Sequence, residues 1–195
     1  MTGPAHRLVA IGGSWGGIRA VRRILPRLRL PADTGVVMVL HRQPVRSALA
    51  TILARGTGLA VEEAEDKMPL LPGRVHVAPP DYHLLVESGG WLSLSTEDPV
   101  RYSRPSIDVL FDSAAQAYAD RLVAVVLTGA SDDGTQGALA VRRHGGTVIV
   151  QDPKTAEQGV MPSAAIEAGA ADHVVVLAGL PALVGAVLTG GEETA

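Results

Sequence analysis

Short apolar runs rich in valine alternate with stretches of helical spacing along most of this chain. Such alternation signals a parallel sheet, because parallel strands need crossover connections and helices supply them. The runs at 8–11, 36–40, 74–78, 122–127, 147–150 and 173–177 read as buried strands. Helices are expected from about Gly17 and over 47–55, 106–118, 135–144, 163–168 and 181–188. The clearest is 106–118, where Ile107, Leu110, Phe111, Ala114 and Tyr118 fall at helical spacing. Pro162 suits the first turn of the helix at 163–168. Residues 82–87 and 91–95 flank Ser88-Gly89-Gly90 and predict a β-hairpin. The expected fold is α/β: a doubly wound, mostly parallel sheet flanked by helices, with an inserted antiparallel β-hairpin. A length of 195 residues suits one domain, expected over 1–195 with its core at about 8–188.

Composition narrows the chemistry. Hydrophobic residues at 47% and charged residues at 19% exclude an intrinsically disordered chain. With no cysteine, disulfides, thiolate metal sites, iron–sulfur clusters and cysteine nucleophiles are excluded together. Residues 1–7 lack the apolar core of a secretory signal. The apolar stretch 174–188 contains Gly179, Pro181 and Gly185 and is shorter than the ~20 residues of a membrane span. A cytoplasmic protein without membrane insertion is expected. Residues 1–55 carry net charge +8 and the remainder −11, an asymmetry that fits either an acidic partner or solvated arginines such as Arg19, Arg22 and Arg23. No zinc-finger pattern, basic tail or aromatic–basic motif accompanies it, so nucleic acid is not an expected partner.

In a doubly wound sheet, ligands bind beyond the carboxyl ends of the strands. After the first strand comes Gly12-Gly13-Ser14-Trp15-Gly16-Gly17, after the second His41, and after 122–127 the loop Thr128-Gly129-Ala130-Ser131-Asp132-Asp133-Gly134. The dinucleotide fingerprint G-x-G-x-x-G fails at Ser14, and His41 stands where an acidic ribose ligand belongs. Gly12-x-Ser14-x-Gly16 instead matches the nucleophile elbow G-x-S-x-G. Alone, Ser14 fits a helix cap equally well, His41 a satisfied strand-end histidine, and Asp133 an N-cap. Together they supply a hydroxyl, a base to take its proton and a carboxylate to orient the base.

At these residues the chain resembles the catalytic domain of the bacterial chemotaxis protein-glutamate methylesterases, the CheB family. The resemblance runs from about residue 8 to 188. It is carried by Ile11-Gly12-Gly13-Ser14 with Gly16-Gly17, His41, Glu63-Ala64-Glu65-Asp66, Leu71-Pro72-Gly73 and Val77-Ala78-Pro79. Arg104-Pro105-Ser106-Ile107-Asp108-Val109-Leu110-Phe111, Leu127-Thr128-Gly129 with Asp133-Gly134, and Met161-Pro162 complete it. It implies Ser14 as nucleophile, His41 as general base and Asp133 as the carboxylate orienting His41, with Asp132 a rival only by adjacency. Ala130 takes a position, commonly methionine, whose backbone N–H helps hold the oxyanion. The implied reaction is hydrolysis of γ-glutamyl methyl esters on the cytoplasmic domain of a chemoreceptor, or on a related protein substrate. Methanol is released, and glutamine deamidation is known in some members; no metal or organic cofactor is implied.

Two departures qualify the resemblance. Well-known members carry an N-terminal phosphoacceptor receiver domain, whereas seven residues precede the first strand here. Control by an attached receiver is therefore not expected, and a separate regulator is one alternative. Trp15 replaces a common threonine; it is expected either to pack on the hairpin or a neighbouring loop, or to narrow the cleft and alter the ester accepted. Arg42, Arg46, Arg101 and Arg104 suggest a basic rim for acidic protein segments. The other readings on this scaffold are a serine esterase or amidase with another substrate, and a binding module without turnover.

Overall fold

The computed structural model describes residues 3–43 and 48–190. From the N-terminus the elements run β1 (Arg7–Gly13), α1 (Gly17–Ile24), β2 (Thr34–Leu40), α2 (Leu49–Ala54), β3 (Ala60–Glu63), β4 (Arg74–Val77), β5 (His83–Glu87) and β6 (Trp91–Ser95). There follow α3 (Ile107–Tyr118), β7 (Leu122–Val126), α4 (Thr135–Arg143), β8 (Thr147–Gln151), α5 (Val160–Glu167), β9 (His173–Val175) and α6 (Leu180–Leu188). Seven strands form one sheet in the order β3-β4-β2-β1-β7-β8-β9, parallel throughout. β5 and β6 pair antiparallel as a separate hairpin.

The period of two in the strands distributes the core. Leu8 and Ala10 of β1 join the cluster under α3, α4, α5 and the hairpin, whereas Val9 and Ile11 join that under α1, α2 and α6. Both faces of the inner strands β1, β2, β7 and β8 are covered, which is why they are apolar at nearly every position. The run at 173–177, expected as a buried strand, is instead the short edge strand β9, with His173 and Val174 exposed, because no further strand lies beyond it.

The residue composition explains the differences from expectation. β3 is an edge strand of Ala60, Val61, Glu62 and Glu63, and it lacks the apolar run that marked the others. Its carboxylates suit an edge, where charge discourages further strand pairing; Glu62 accepts from Arg74 on the neighbouring β4 at 3.1 Å. α5 begins at Val160 rather than 163, which leaves Pro162 still within the first turn, where a missing N–H costs nothing. Ser47, expected to open the second helix, lies outside the described residues, and α2 starts at Leu49. Among the described residues no helix is long and apolar enough to cross a membrane.

Strand order places the cleft. The chain moves from β1 to β2, crosses to the edge at β3, returns to β4 between them, and after the hairpin and α3 resumes on the other side of β1 at β7. The reversal falls between β1 and β7, and beyond the carboxyl ends of such strands doubly wound sheets open their binding crevice.

Candidate active site

Ser14, His41 and Thr128 emerge side by side from three adjacent parallel strands. Gly13 of β1 is in register with Leu40 of β2, so the next residues, Ser14 and His41, leave the sheet together. Backbone bonds carry the alignment past the strand ends: His41 N donates to Gly13 O at 2.9 Å, and Ser14 N to Thr128 O at 3.0 Å. Gly16, at φ +81°, then turns the chain into α1. Gly16 is also the helix N-cap and no side chain caps there, so the Ser14 hydroxyl is not spent on the helix. The sharp turn rests on Gly16 alone.

Gly12 has a different task from the turn its place in the motif suggests. It lies inside β1, and a Cβ built there would come within 2.4 Å of Ile107 Cγ2 and 3.2 Å of Phe111 Cζ. Its missing side chain lets the first turns of α3 settle onto the strand. Gly134, at φ +97°, clears Ile107 from the other side.

That close approach brings the N-terminus of α3 to Asp133. The carboxylate is fully buried and accepts four hydrogen bonds. Oδ2 takes His41 Nε2 at 2.7 Å and Ile107 N at 2.8 Å. Oδ1 takes the Ser106 hydroxyl at 2.8 Å and Asp108 N at 3.0 Å. Burial alone would push its pKa up; the bonds from His41, Ile107 and Asp108 outweigh it and hold the carboxyl below the usual carboxylate range. The positive end of the α3 dipole acts in the same direction. An ionised carboxylate only accepts, so His41 Nε2 carries the shared hydrogen. When the ring is neutral, Nδ1 is thereby left with a lone pair for an incoming proton.

Several supporting residues escaped the sequence reading. Ser106, the N-cap of α3, gives its hydroxyl to Asp133. Its backbone N–H donates to Nδ1 of His83 at 3.2 Å. His83, 1% exposed, places Nε2 3.1 Å from the Asp98 carbonyl, so this histidine is a buried brace for the N-terminus of α3. Gln151, at the end of β8, accepts from Thr128 N at 3.0 Å and fixes the loop beside Ser14. Met161, fully buried, packs on Gly129, where a Cβ would lie 2.6 Å from its methyl carbon.

The remaining candidates divide. Asp132 is ion-paired with Arg101 and is 52% exposed at its side chain, so it faces away from the cage that holds Asp133. Ala130 is exposed on the loop after β7, and its amide donates to no acceptor among the described residues. Trp15 does not pack on the hairpin: it is 63% exposed, and Nε1 donates to Glu157 Oε1 at 3.1 Å. Glu157 also pairs with Arg19 at 3.1 Å, tying α1 and the elbow to the loop before α5. The expected basic rim is largely neutralised. Arg42 pairs with Glu63 and the Ala78 carbonyl, Arg101 with Asp108 and Asp132, and Arg104 with Asp81, while Arg46 lies outside the described residues.

Comparison with known proteins agrees with this architecture. The CheB methylesterase family model matches residues 9–184. A Leptospira interrogans protein with the provisional name protein-glutamate methylesterase/protein-glutamine glutaminase is 43% identical over 175 residues, 88% of this chain and 90% of the relative. The Thermotoga maritima protein-glutamate methylesterase/protein-glutamine glutaminase is 38% identical over 173 residues, 87% of this chain and 50% of the relative. This chain thus spans nearly all of the first relative and half of the second. The crystal structure of the Thermotoga maritima CheB methylesterase catalytic domain superposes with a TM-score of 0.87 at 38% identity, covering 91% of this chain and 96% of that one.

Proposed function

The chain belongs to the CheB methylesterase family, and on that premise we propose that it hydrolyses glutamate methyl esters on proteins, through Ser14, His41 and Asp133. One catalytic domain spans the chain. The substrate is the methylated cytoplasmic region of a chemoreceptor, and the enzyme works in the cytoplasm. Side-chain amide hydrolysis of glutamine, which the relatives' names also record, uses the same groups.

The course follows from the donors and acceptors in place. As the Ser14 hydroxyl adds to the ester carbonyl, His41 Nδ1 takes its proton, and the buried Asp133 carboxylate stabilises the imidazolium. The oxyanion is met by the free Ala130 amide and by the N-terminal end of α1. Collapse expels methoxide, which leaves as methanol with the proton from His41. The acyl group now sits on Ser14 as an ester. Water, deprotonated by His41, adds to it, and the second collapse returns Ser14 and a glutamate carboxylate.

The observation that carries this reading is the enclosure of Asp133. A buried carboxylate held ionised by three donors from the head of α3 and joined to a histidine is the arrangement a serine nucleophile needs. Methanol release from methylated chemoreceptor membranes, with Ser14→Ala as control, tests it. Release by the parent that vanishes in Ser14→Ala is expected. Release that persists in Ser14→Ala would remove Ser14 from the chemistry, and none from the parent would remove the substrate.

A further inference from the structure

The turn at 100–103 is bent in a way that its own packing does not repay. Val100 and Ser103 exchange both backbone hydrogen bonds, at 3.1 and 2.9 Å, and close a two-residue loop. Its members, Arg101 at φ +48° and Tyr102 at φ +62°, both lie in the left-handed region. Glycine, asparagine and aspartate favour such positions; tyrosine does not. Strained backbone of this kind gathers at sites that use it.

The turn is anchored on either side of Tyr102. Arg101 is ion-paired with Asp108 and Asp132, and Arg104 with Asp81 and the carbonyls of Thr96 and Glu97. Tyr102 itself is 103% exposed, and its hydroxyl makes no hydrogen bond with a described residue. It nonetheless lines the same cavity as His41, a depression of about 260 Å³ shared with Arg42, Asp81 and Ser103.

We infer that Tyr102 is a substrate-contact residue, which packs against the polypeptide on either side of the reacting glutamate. The inference rests on the proposed protein-ester substrate. The cavity is smaller than the roughly 300–1,000 Å³ of ordinary small-molecule sites, and its lining includes His41 but not Ser14, so it lies beside the nucleophile, where polypeptide flanking the reacting glutamate would pass. At the rim, tyrosine offers a wide amphipathic face with only two side-chain torsions to immobilise. The ring therefore contributes to protein esters and little to an ester without a flanking chain.

The test compares the parent, Tyr102→Gly and Tyr102→Phe on two substrates, methylated receptor protein and p-nitrophenyl acetate. Glycine removes the ring and suits a φ of +62°, so this variant keeps the parent's thermal midpoint or exceeds it. Its kcat/KM for receptor relative to the small ester falls about tenfold, the size of a buried aromatic contact worth about 1.4 kcal/mol, with the loss in KM. Tyr102→Phe keeps most of the ratio. An unchanged ratio in Tyr102→Gly overturns the contact while leaving the protein-ester reading intact. Equal losses on both esters with a lower midpoint make the turn structural and also overturn it. A parent that cleaves the small ester but releases no methanol from receptor contradicts the proposed substrate, and the contact with it.

Discussion

Asp133 is fully buried with four donors around it, whereas Trp15 and Tyr102, on loops beside the same strand ends, are 63% and 103% exposed. The inner region is over-determined: each acceptor position on Asp133 is filled, and two glycines are spent bringing α3 close enough to fill them. The rim is held by ion pairs at its roots, through Arg101, Arg104 and Glu157, and carries large side chains on backbone that its packing does not demand. The contrast separates two requirements. Proton transfer needs fixed distances in a dry setting, so it is built from buried, satisfied groups. Recognition of a polypeptide happens in water and can vary at small cost to the fold.

Changes to the inner region should therefore lower the rate on every ester, and the sharpest is Asp133→Asn. The amide cannot accept from all four donors or stabilise an imidazolium, and kcat is expected to fall about 10⁴-fold on receptor and small esters alike. A loss confined to receptor esters would break the division. The same substitution changes acid stability. Because the folded pKa of Asp133 lies below its unfolded value, its contribution is present above about 3.9 and is lost as pH falls through the folded value. Denaturant melts from pH 6 downward should show a shallower acid loss in Asp133→Asn than in the parent.

Gly12→Ala comes next. Its methyl would meet Ile107 at 2.4 Å, and overpacking of this kind costs about 1–3 kcal/mol. Displacement of α3 should lower kcat as well, since Ile107 and Asp108 carry two of the amides on Asp133. Gly58→Ala, with nothing within 4 Å of the added carbon, is the control and should stay within about 0.5 kcal/mol. Equal effects at the two glycines, read from urea midpoints, would contradict the packing account.

The smallest effect belongs to the rim. Trp15→Thr removes an exposed indole and its bond to Glu157, so stability should change by less than about 1 kcal/mol. The ranking of several esters by kcat/KM should shift a few-fold. Unchanged selectivity across those esters would leave Trp15 as a surface anchor for the loop at Glu157.

Much of this is legible in the amino-acid sequence. The strands could be placed because buried parallel strands are continuous apolar runs, and the residues at their ends follow from position alone. Ser14 and His41 stand directly after such ends; Asp133 lies further along the loop after β7, and only the family resemblance separated it from the adjacent Asp132. The short polar β3 carries no such run and was missed. The brace of Ser106 and His83, and the role of Gly12, depend on where α3 lands against β1, a long-range packing result that no spacing encodes. The arginine rim misled for a related reason: charge is visible in a sequence, but most of the carboxylates that neutralise Arg42, Arg101 and Arg104, namely Glu63, Asp132 and Asp81, come from distant segments.

The central claim is that Asp133, acting through His41, makes Ser14 a nucleophile. Intact-mass and peptide mass spectrometry of the protein treated with a fluorophosphonate measures this most directly. One adduct, on the peptide holding Ser14, is expected, absent from Ser14→Ala and formed orders of magnitude more slowly in Asp133→Asn. Labelling at another residue, or at the parent's rate in Asp133→Asn, would contradict the account.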